Sequence, residues 1–200
     1  DVYKRQFLYN TLDSIIWMAE GRKYEEVVLM TASLARLLRQ SISNEDEVVP
    51  LAREVEYAKG YLTIQKMRYK DKLEFEIDVE PSILNIPLIK LVLQPIIENA
   101  IYHGLKYKES KGLLQVKGFM KDGNAVLQVI DNGVGMDEET LSHIYDKHKV
   151  NYHSNGVGVY NVQKRLKLYY GENYGITYES EKGVGTTATI IIPGIQEESI

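Results

Sequence analysis

Four short motifs in this chain carry the residue types that could do chemistry. They are Glu98-Asn99-Ala100, Asp131-Asn132-Gly133-Val134-Gly135-Met136, Gly156-Val157-Gly158 and Gly183-Val184-Gly185-Thr186. In chain order they supply an amide on a helix, an acid at the end of a strand, and three turns whose glycines let backbone approach a ligand closely. This order predicts a pocket for an adenine nucleotide.

Asp131 is the residue predicted to determine base specificity. It ends an apolar strand and precedes two glycines, so its carboxylate should lie at the floor of a cleft and accept a hydrogen bond from the exocyclic amine of adenine. Guanine would present a carbonyl oxygen there, and two facing acceptors in a desolvated pocket stay unpaired. The alternative is a simple hairpin turn, because Asn-Gly is a strong turn signal by itself.

Asn99 is the predicted metal ligand. A side-chain carbonyl is a hard oxygen ligand, and Mg²⁺ commonly takes one or two protein oxygens while phosphates and water complete its octahedron. His103 follows four residues later and therefore shares the same helix face. The alternative for Asn99 is a buried amide satisfied by backbone.

The other candidates would contact phosphate or base. Gly156 and Gly158 open a helix whose free N–H groups can receive phosphate, and Arg165 lies two turns further along. Arg165 is equally explained as a solvated surface side chain. Thr186 would add a hydroxyl near the base, although its glycine turn could be only a hairpin. The chain lacks the third glycine of a dinucleotide-binding turn and has no phosphate-binding GxxxxGK[ST] loop.

The surrounding elements follow from periodicity and turn residues. We expect helix through the first forty residues with a break near Gly21, and a third helix whose first turn contains Pro50 and which runs to residue 69. A helix is predicted for residues 87–105, kinked near Leu91 by Pro95. Strands are expected at 73–79, 113–120, 124–131, 174–180 and 186–192, and the Asp122-Gly123 pair between the second and third of them favours a hairpin turn. A helix is expected at 157–170, closed by Gly171, and an irregular stretch at 137–155.

These elements predict an α+β fold in two parts. A helical module, residues 1–70, precedes an α/β sandwich, residues 71–194, in which a mixed, mainly antiparallel sheet packs under helices, and residues 195–200 form a tail. His143, His148 and His153 lie in the irregular stretch with no spacing typical of a metal site, and we interpret them as solvated histidines of a mobile lid.

Composition restricts the class of protein. The 200 residues are 44% hydrophobic and 26% charged, which is ordinary for one or two globular domains. The net charge of −4 and the scattered Lys and Arg argue against nucleic-acid binding. The absence of cysteine excludes disulfides and thiolate chemistry and fits a cytoplasmic location. The longest apolar stretch, 83–97, is too short and too interrupted for a membrane helix, and no signal peptide opens the chain.

Taken together, the motifs resemble the ATPase fold shared by gyrase, heat-shock chaperones, histidine kinases and mismatch-repair proteins. Within that fold, the chain is similar to the bacterial sensor histidine kinases of the subgroup that includes autolysis and nutrient sensors. The resemblance covers residues 7–193. It is carried beyond the pocket by Phe7-Leu8-Tyr9-Asn10-Thr11-Leu12, Tyr61-Leu62-Thr63-Ile64-Gln65 with Arg68, Gln94-Pro95-Ile96-Ile97-Glu98-Asn99-Ala100 with His103-Gly104, and Gly156-Val157-Gly158-Val159-Tyr160-Asn161-Val162 with Arg165-Leu166.

The resemblance implies a function as well as a fold. It implies ATP and Mg²⁺ as ligands, phosphoryl transfer to a histidine and onward to a response regulator, a homodimer formed through the N-terminal helices, and a cytoplasmic position below an inner-membrane sensor. The nucleotide site it implies consists of Asn99, His103, Asp131, Gly133, Gly135, Gly156, Gly158, Arg165 and Thr186, with Asn99 also holding the metal.

Two positions depart from relatives of this fold. Hydrolysing members carry a glutamate base where this chain has Pro95, so hydrolysis should suffer, whereas an imidazole acceptor attacks through a neutral lone pair and needs no such base. The acceptor histidine of the family is replaced by Gln6, so this chain should not phosphorylate itself there, and we expect residues 1–6 to be a foreign or truncated boundary. The alternatives are a pseudokinase that binds nucleotide and signals by association, and a chaperone-like ATP hydrolase.

Overall fold

The computed structural model describes residues 2–42, 47–145 and 156–194. The helices are α1 (Val2–Glu20), α2 (Tyr24–Ile42), α3 (Leu51–Tyr69), α4 (Leu93–Asn99), α5 (Glu138–Ser142) and α6 (Gly156–Tyr170). The strands are β1 (Val48–Pro50), β2 (Leu73–Val79), β3 (Pro87–Ile89), β4 (Gly112–Lys121), β5 (Asn124–Asp131), β6 (Gly175–Glu181) and β7 (Gly185–Pro193). Short 3₁₀ turns occupy Lys70–Lys72 and Pro81–Ile83.

The first two helices form a hairpin, and α3 packs against α2. The break near Gly21 is confirmed: Gly21 N–H still bonds to the Trp17 carbonyl at 3.0 Å, and Arg22 then takes a positive φ of 56°. Gly60 lies at the crossing of α2 and α3, where an added Cβ would stand 3.4 Å from Leu37 Cδ2. In the part of the chain that the structure describes, no helix combines the length and the apolar character needed to cross a bilayer.

The main sheet has five strands in the order β2-β4-β5-β7-β6. Only β2 and β4 are parallel, and the other three pairs are antiparallel, as predicted. The β4–β5 hairpin turns at Asp122 and Gly123, whose φ values of 50° and 78° are those of a type I′ turn. The Asp-Gly signal in the sequence therefore identified the turn correctly.

The core of this part lies between one face of the sheet and the helices α4 and α6. Alternate side chains of the central strands point inward, and the helices cover them with aliphatic residues. The inward set consists of Leu114 and Val116 from β4, Leu127 and Val129 from β5, Ile190 and Ile192 from β7, Ile96, Ile97 and Ile101 from α4 and its continuation, and Val159, Val162 and Leu166 from α6. The predicted α+β architecture, a sheet packed under helices, is confirmed.

The predicted helix over 87–105 is wrong at its start. Pro87–Ile89 forms β3, which pairs antiparallel with β1, and the helix begins only at Leu93. Neither short strand was predicted, because their pairing joins segments about forty residues apart. The predicted kink is wrong too: Pro95 is the third residue of α4, where a backbone N–H has no intrahelical partner anyway.

Two further details differ from the prediction. The helix continues beyond Asn99 as a π-helical segment, Ala100–Leu105. Within the stretch predicted as irregular, Glu138–Ser142 forms the short helix α5, whose first turn is capped by Asp137 through a 3.0 Å bond from the Thr140 N–H. Elsewhere the agreement is close: β2 has the predicted bounds, α3 begins directly after Pro50, and Gly171 ends α6 with a φ of 100°.

Candidate functional site

A cavity of about 830 Å³ lies between the sheet and the helical segment formed by α4 and its π continuation. Five of the predicted site residues line it: Asn99, His103, Asp131, Gly135 and Thr186. They come from three separate parts of the sequence and meet because the ends of β5 and β7 face the helix. The sequence motifs therefore converge on one concave site.

Asp131 lies at the floor of this cavity, at the end of β5 and opposite Thr186 of β7 in the strand register. Only 6% of the residue is exposed, and its Oδ1 accepts the Gly133 N–H at 2.8 Å. Burial raises the pKa of Asp131 to about 6, against the opposing effect of backbone hydrogen bonds from Gly133 and Thr186 and of the Lys108 charge. Burial thus destabilises the ionised form of this carboxylate, and a buried acid with a perturbed pKa is typical of a functional site.

Two glycines make room for this carboxylate. A Cβ added to Gly104 would stand 2.7 Å from Asp131 Oδ1, and one added to Gly133 would stand 2.4 Å from the Gly104 carbonyl carbon. Gly133 does not line the cavity itself; it donates to Asp131 and permits the close contact with the helix. Gly104 belongs to the His103-Gly104 motif, but no role was predicted for it. In the structure, its lack of a side chain leaves room for the Asp131 carboxylate.

The two glycine-rich turns are tied together at the cavity edge. Gly135 has a φ of 64°, and a Cβ there would lie 1.9 Å from the Glu181 carbonyl oxygen, so only glycine fits. Ser180 joins the turns: its Oγ accepts the Met136 N–H at 2.8 Å and donates to the Gly185 carbonyl at 2.9 Å. Sequence reasoning missed Ser180, since a serine in a strand carries no signal of such a bridge.

Asn99 lines the cavity and carries an unusual polar atom. Its Oδ1 is buried and has no hydrogen-bond partner among residues 2–42, 47–145 and 156–194. A buried carbonyl oxygen without a partner is costly, and a hard cation would satisfy it. His103 also lines the cavity and is exposed. Partial desolvation of its ring, and then the charge of Lys106, lower its pKa. The orphaned oxygen is the feature that fits Mg²⁺.

The other side chains of α4 do not offer a base to the cavity. Glu98 receives a 2.7 Å hydrogen bond from Gln94 Nε2, and its charge adds to burial in raising the pKa of Tyr57 on α3, so it faces away from the cavity. Pro95 packs against the first turn of α6, where a Cβ on Gly158 would lie 3.4 Å from Pro95 Cβ. Among the described cavity-lining residues, α4 supplies an amide and no carboxylate.

The remaining predicted residues lie outside the cavity wall. Gly156 begins α6, as expected, but Gly158 and the half-buried Arg165 do not line the cavity. His143 does line it, beside Glu139 of α5, and this corrects the interpretation of His143 as a solvated loop histidine. His148 and His153 fall outside the described residues.

Tyr178 of β6 was not predicted as part of the site. It lines the cavity, and its hydroxyl is buried without a hydrogen-bond partner in the described part of the chain. Its ring meets that of Tyr145 edge-on at 6.1 Å, and the Tyr145 hydroxyl donates to the Ile176 carbonyl. A tyrosine in a strand has no sequence signal that separates a cavity wall from a core position.

Comparisons with known families agree with this geometry. The family model "Histidine kinase" matches residues 4–73, and the model "Histidine kinase-, DNA gyrase B-, and HSP90-like ATPase" matches residues 85–196, more than half of the chain. The sensor histidine kinase YesM of Bacillus subtilis is 34% identical over 94% of this chain, and sensor protein LytS of Oceanobacillus iheyensis is 31% identical over 84%. These alignments cover 31% and 29% of the two relatives, so the chain spans about a third of their length.

Solved structures show the same fold at low sequence identity. The histidine kinase domain of the blue-light activated kinase from Erythrobacter litoralis superposes with a TM-score of 0.54 at 16% identity, covering 94% of this chain and 93% of that one. The catalytic domain of histidine kinase ThkA gives a TM-score of 0.56 at 16% identity, covering 74% and 99%. The chain therefore belongs to the histidine kinase-, DNA gyrase B- and HSP90-like ATPase family, within the catalytic portion of the sensor histidine kinases.

Proposed function

We propose that this chain binds Mg-ATP in the cavity and, as the cytoplasmic catalytic portion of a sensor histidine kinase, transfers the γ-phosphoryl group to a histidine and onward to a response regulator. One observation carries the proposal. Asp131, a buried carboxylate, lines the cavity from its sheet side, and Asn99, whose Oδ1 has no hydrogen-bond partner in the described part of the chain, lines it from the helix side. The first suits the adenine amine, and the second suits a divalent cation held by phosphates.

The other predicted residues complete the binding chemistry. Thr186 lies beside Asp131 and offers a hydroxyl at the base, Gly135 lines the cavity, and Gly133 holds the Asp131 carboxylate through its N–H. The start of α6 at Gly156 and Gly158 would receive phosphate through its free N–H groups, with Arg165 further along the helix. Asn99 would hold Mg²⁺, which when bound neutralises phosphate charge.

The arrangement of α4 favours transfer to nitrogen over transfer to water. A neutral imidazole nitrogen attacks the γ-phosphorus with its own lone pair, the P–N bond forms as the bond to the bridging oxygen breaks, ADP leaves, and the imidazole proton is lost afterwards. No general base is needed for that attack, whereas water needs one. Pro95 occupies the position of such a base, and Glu98 faces α3.

The identity of the phosphoryl acceptor separates the proposed kinase from a second candidate function. Gln6 lies exposed on α1 where relatives would carry histidine, so the chain would have to phosphorylate a histidine elsewhere or act as a nucleotide-dependent interaction module. Changing Gln6→His and incubating the protein with labelled ATP separates the two. Acid-labile phosphate on the variant supports the kinase, and its absence despite bound ATP supports the interaction module.

Affinity for ATP tests the proposal itself. Replacing Asp131 by Asn or Ala should weaken ATP binding by about 10- to 100-fold, since a hydrogen bond to a charged group is worth about 1.5–3 kcal/mol. Asp78→Asn is the matched control, because Asp78 is exposed on β2 outside the cavity. Isothermal calorimetry that gives the same dissociation constant for Asp131→Asn and the unchanged chain would refute the role of Asp131. Steady ATP turnover without any acceptor would revive the chaperone-like hydrolase.

A further inference from the structure

A carboxylate from α3 caps the start of α4. The backbone N–H groups of Leu91, Val92 and Leu93 all donate to Glu54, at 2.9 Å to Oε1 and at 2.9 and 3.1 Å to Oε2. Glu54 is only 7% exposed. A buried carboxylate that accepts three backbone N–H groups from another segment is a strong, charge-assisted contact.

The start of α4 depends on this contact for two reasons. The residue at the N-cap position is Val92, which has no side chain able to cap the helix, so the first N–H groups would otherwise be unpaired and buried. Leu91 also holds a left-handed φ of 61°, a conformation that side chains other than glycine rarely adopt. Glu54 satisfies the free N–H groups and keeps Leu91 in this turn.

Helix α4 positions Asn99, the proposed metal ligand. Asn99 lies six residues after Leu93, about 9 Å along the helix axis, and Ala100, His103 and Gly104 follow in the π-helical continuation. Asp131, by contrast, is held by β5, Gly133 and Thr186. Moving the start of α4 would therefore act directly on Asn99, and on Asp131 only through the contact of its carboxylate with Gly104.

The same helix α3 contacts the N-terminal helices at its other end. The Phe7 ring of α1 lies 5.2 Å from the Tyr61 ring, and Arg68 lies 6.0 Å from Phe7 while donating to Gln65 at 3.1 Å. Gln65 in turn donates to the Tyr61 hydroxyl at 2.7 Å. Helix α3 thus connects the segment beside position 6 with the helix that carries Asn99.

We propose that Glu54 is a positioning residue for the nucleotide site: by capping α4 it sets the location of Asn99 and couples the helical module to metal-dependent nucleotide binding. This inference rests on the proposed function, because the ligand that Asn99 would meet is Mg-ATP.

The experiment compares Glu54→Gln with Glu56→Gln. The amide keeps the size of Glu54 but offers one acceptor oxygen to three N–H groups. Glu56, two residues along the same helix, forms ion pairs with the exposed Arg36 and Arg53. Dissociation constants for ATP are measured by calorimetry with Mg²⁺ and with EDTA. Amide hydrogen exchange of residues 91–93 is followed by NMR in the absence of nucleotide.

We expect Glu54→Gln to reduce the gain in ATP affinity given by Mg²⁺ by about tenfold or more, with a smaller change in metal-free affinity and an unchanged binding stoichiometry. Amides 91–93 should exchange faster, and Glu56→Gln should match the unchanged chain in every measurement. Adding Leu91→Gly to Glu54→Gln should restore part of the Mg²⁺ gain, since glycine adopts the positive φ without strain but leaves the N–H groups without the Glu54 acceptor.

Two results would overturn the inference. One is a Glu54→Gln chain whose Mg²⁺ gain is unaltered. The other is an equal fall in affinity with and without Mg²⁺, together with reduced stoichiometry, which indicates general loss of structure. If the unchanged chain binds no ATP, the proposed function fails and the positioning role fails with it, while faster exchange of amides 91–93 in Glu54→Gln than in the unchanged chain still shows that Glu54 is the cap.

Discussion

The carboxylate of Asp131 lies directly against Gly104 of the helix wall: a Cβ added to Gly104 would stand 2.7 Å from Asp131 Oδ1. The sheet floor and the helix wall of the site are therefore matched to each other. A glycine in the helix is what allows a buried acid to reach this depth.

Gly104→Ala should displace the Asp131 carboxylate and lower ATP affinity by about tenfold or more, because the hydrogen-bond acceptor for adenine would move. Calorimetric titration with ATP measures the effect. Gly60→Ala is the matched control in α3: its Cβ would make an ordinary 3.4 Å contact with Leu37, and alanine favours helix by about 1 kcal/mol. Unchanged affinity in Gly104→Ala would contradict the contact.

The raised pKa of Asp131 predicts a pH dependence of stability. Its folded-state pKa of about 6 exceeds the ordinary 3.8, so the folded protein binds this proton more tightly than the unfolded chain does. Ionisation therefore costs stability, a loss that is absent below pH 3.8 and complete above pH 6. Two pKa units correspond to about 3 kcal/mol.

Asp131→Asn cannot ionise, so without nucleotide it should be more stable than the unchanged chain at pH 8, by up to about 3 kcal/mol, and the difference should shrink towards pH 4. Urea unfolding of both proteins across this range gives the difference directly. Asp78→Asn serves as the control on an exposed strand position. A stability difference that does not vary with pH would show that burial does not perturb Asp131.

Local signals in the sequence were enough for much of the fold. The alternation of residues 73–79, the Asp122-Gly123 turn and the Gly171 cap each act within a few residues, and each was predicted correctly. The β1–β3 pair was missed because three-residue strands are stabilised only by their partner, Val48 opposite Ile89. The start of α4 was missed for a similar reason: its cap, Glu54, lies in another helix.

The candidate site also contains some residues that local sequence signals predict and others that depend on distant parts of the chain. The positions of Asp131 and Asn99 on the cavity wall could be predicted because a strand end followed by glycines, and an amide on a helix, are recognisable in one segment. Ser180 and Tyr178 could not, since their roles depend on which strand lies beside β7 in the sheet. Gly158 and Arg165 were assigned to the nucleotide from the helix start and from the family resemblance, and they do not line the cavity.

Tyr178 provides a test of the cavity on its sheet side. Its hydroxyl is buried and unpartnered within the described residues, so Tyr178→Phe should stabilise the nucleotide-free protein or leave it unchanged, by about 0–2 kcal/mol. Thermal unfolding measures this. The comparison is Tyr145→Phe, which removes a hydroxyl that donates to the Ile176 carbonyl and should destabilise by about 1 kcal/mol. A clear loss of stability in Tyr178→Phe would reveal a partner for that hydroxyl.

The exposed apolar surface of α1 predicts self-association of the helical module. Trp17 is 79% exposed and Ile16 is 54% exposed, and Tyr9 and Leu12 are also exposed on α1. Exposed apolar residues on a helical hairpin are typical of a two-fold interface. We expect the chain to be a dimer by light scattering coupled to size exclusion, and Ile16→Glu to shift it to monomer. Leu168→Glu is the control, because Leu168 is 76% exposed on α6. A chain that is monomeric at high micromolar concentration, or an Ile16→Glu variant that stays dimeric, would exclude this surface as the interface.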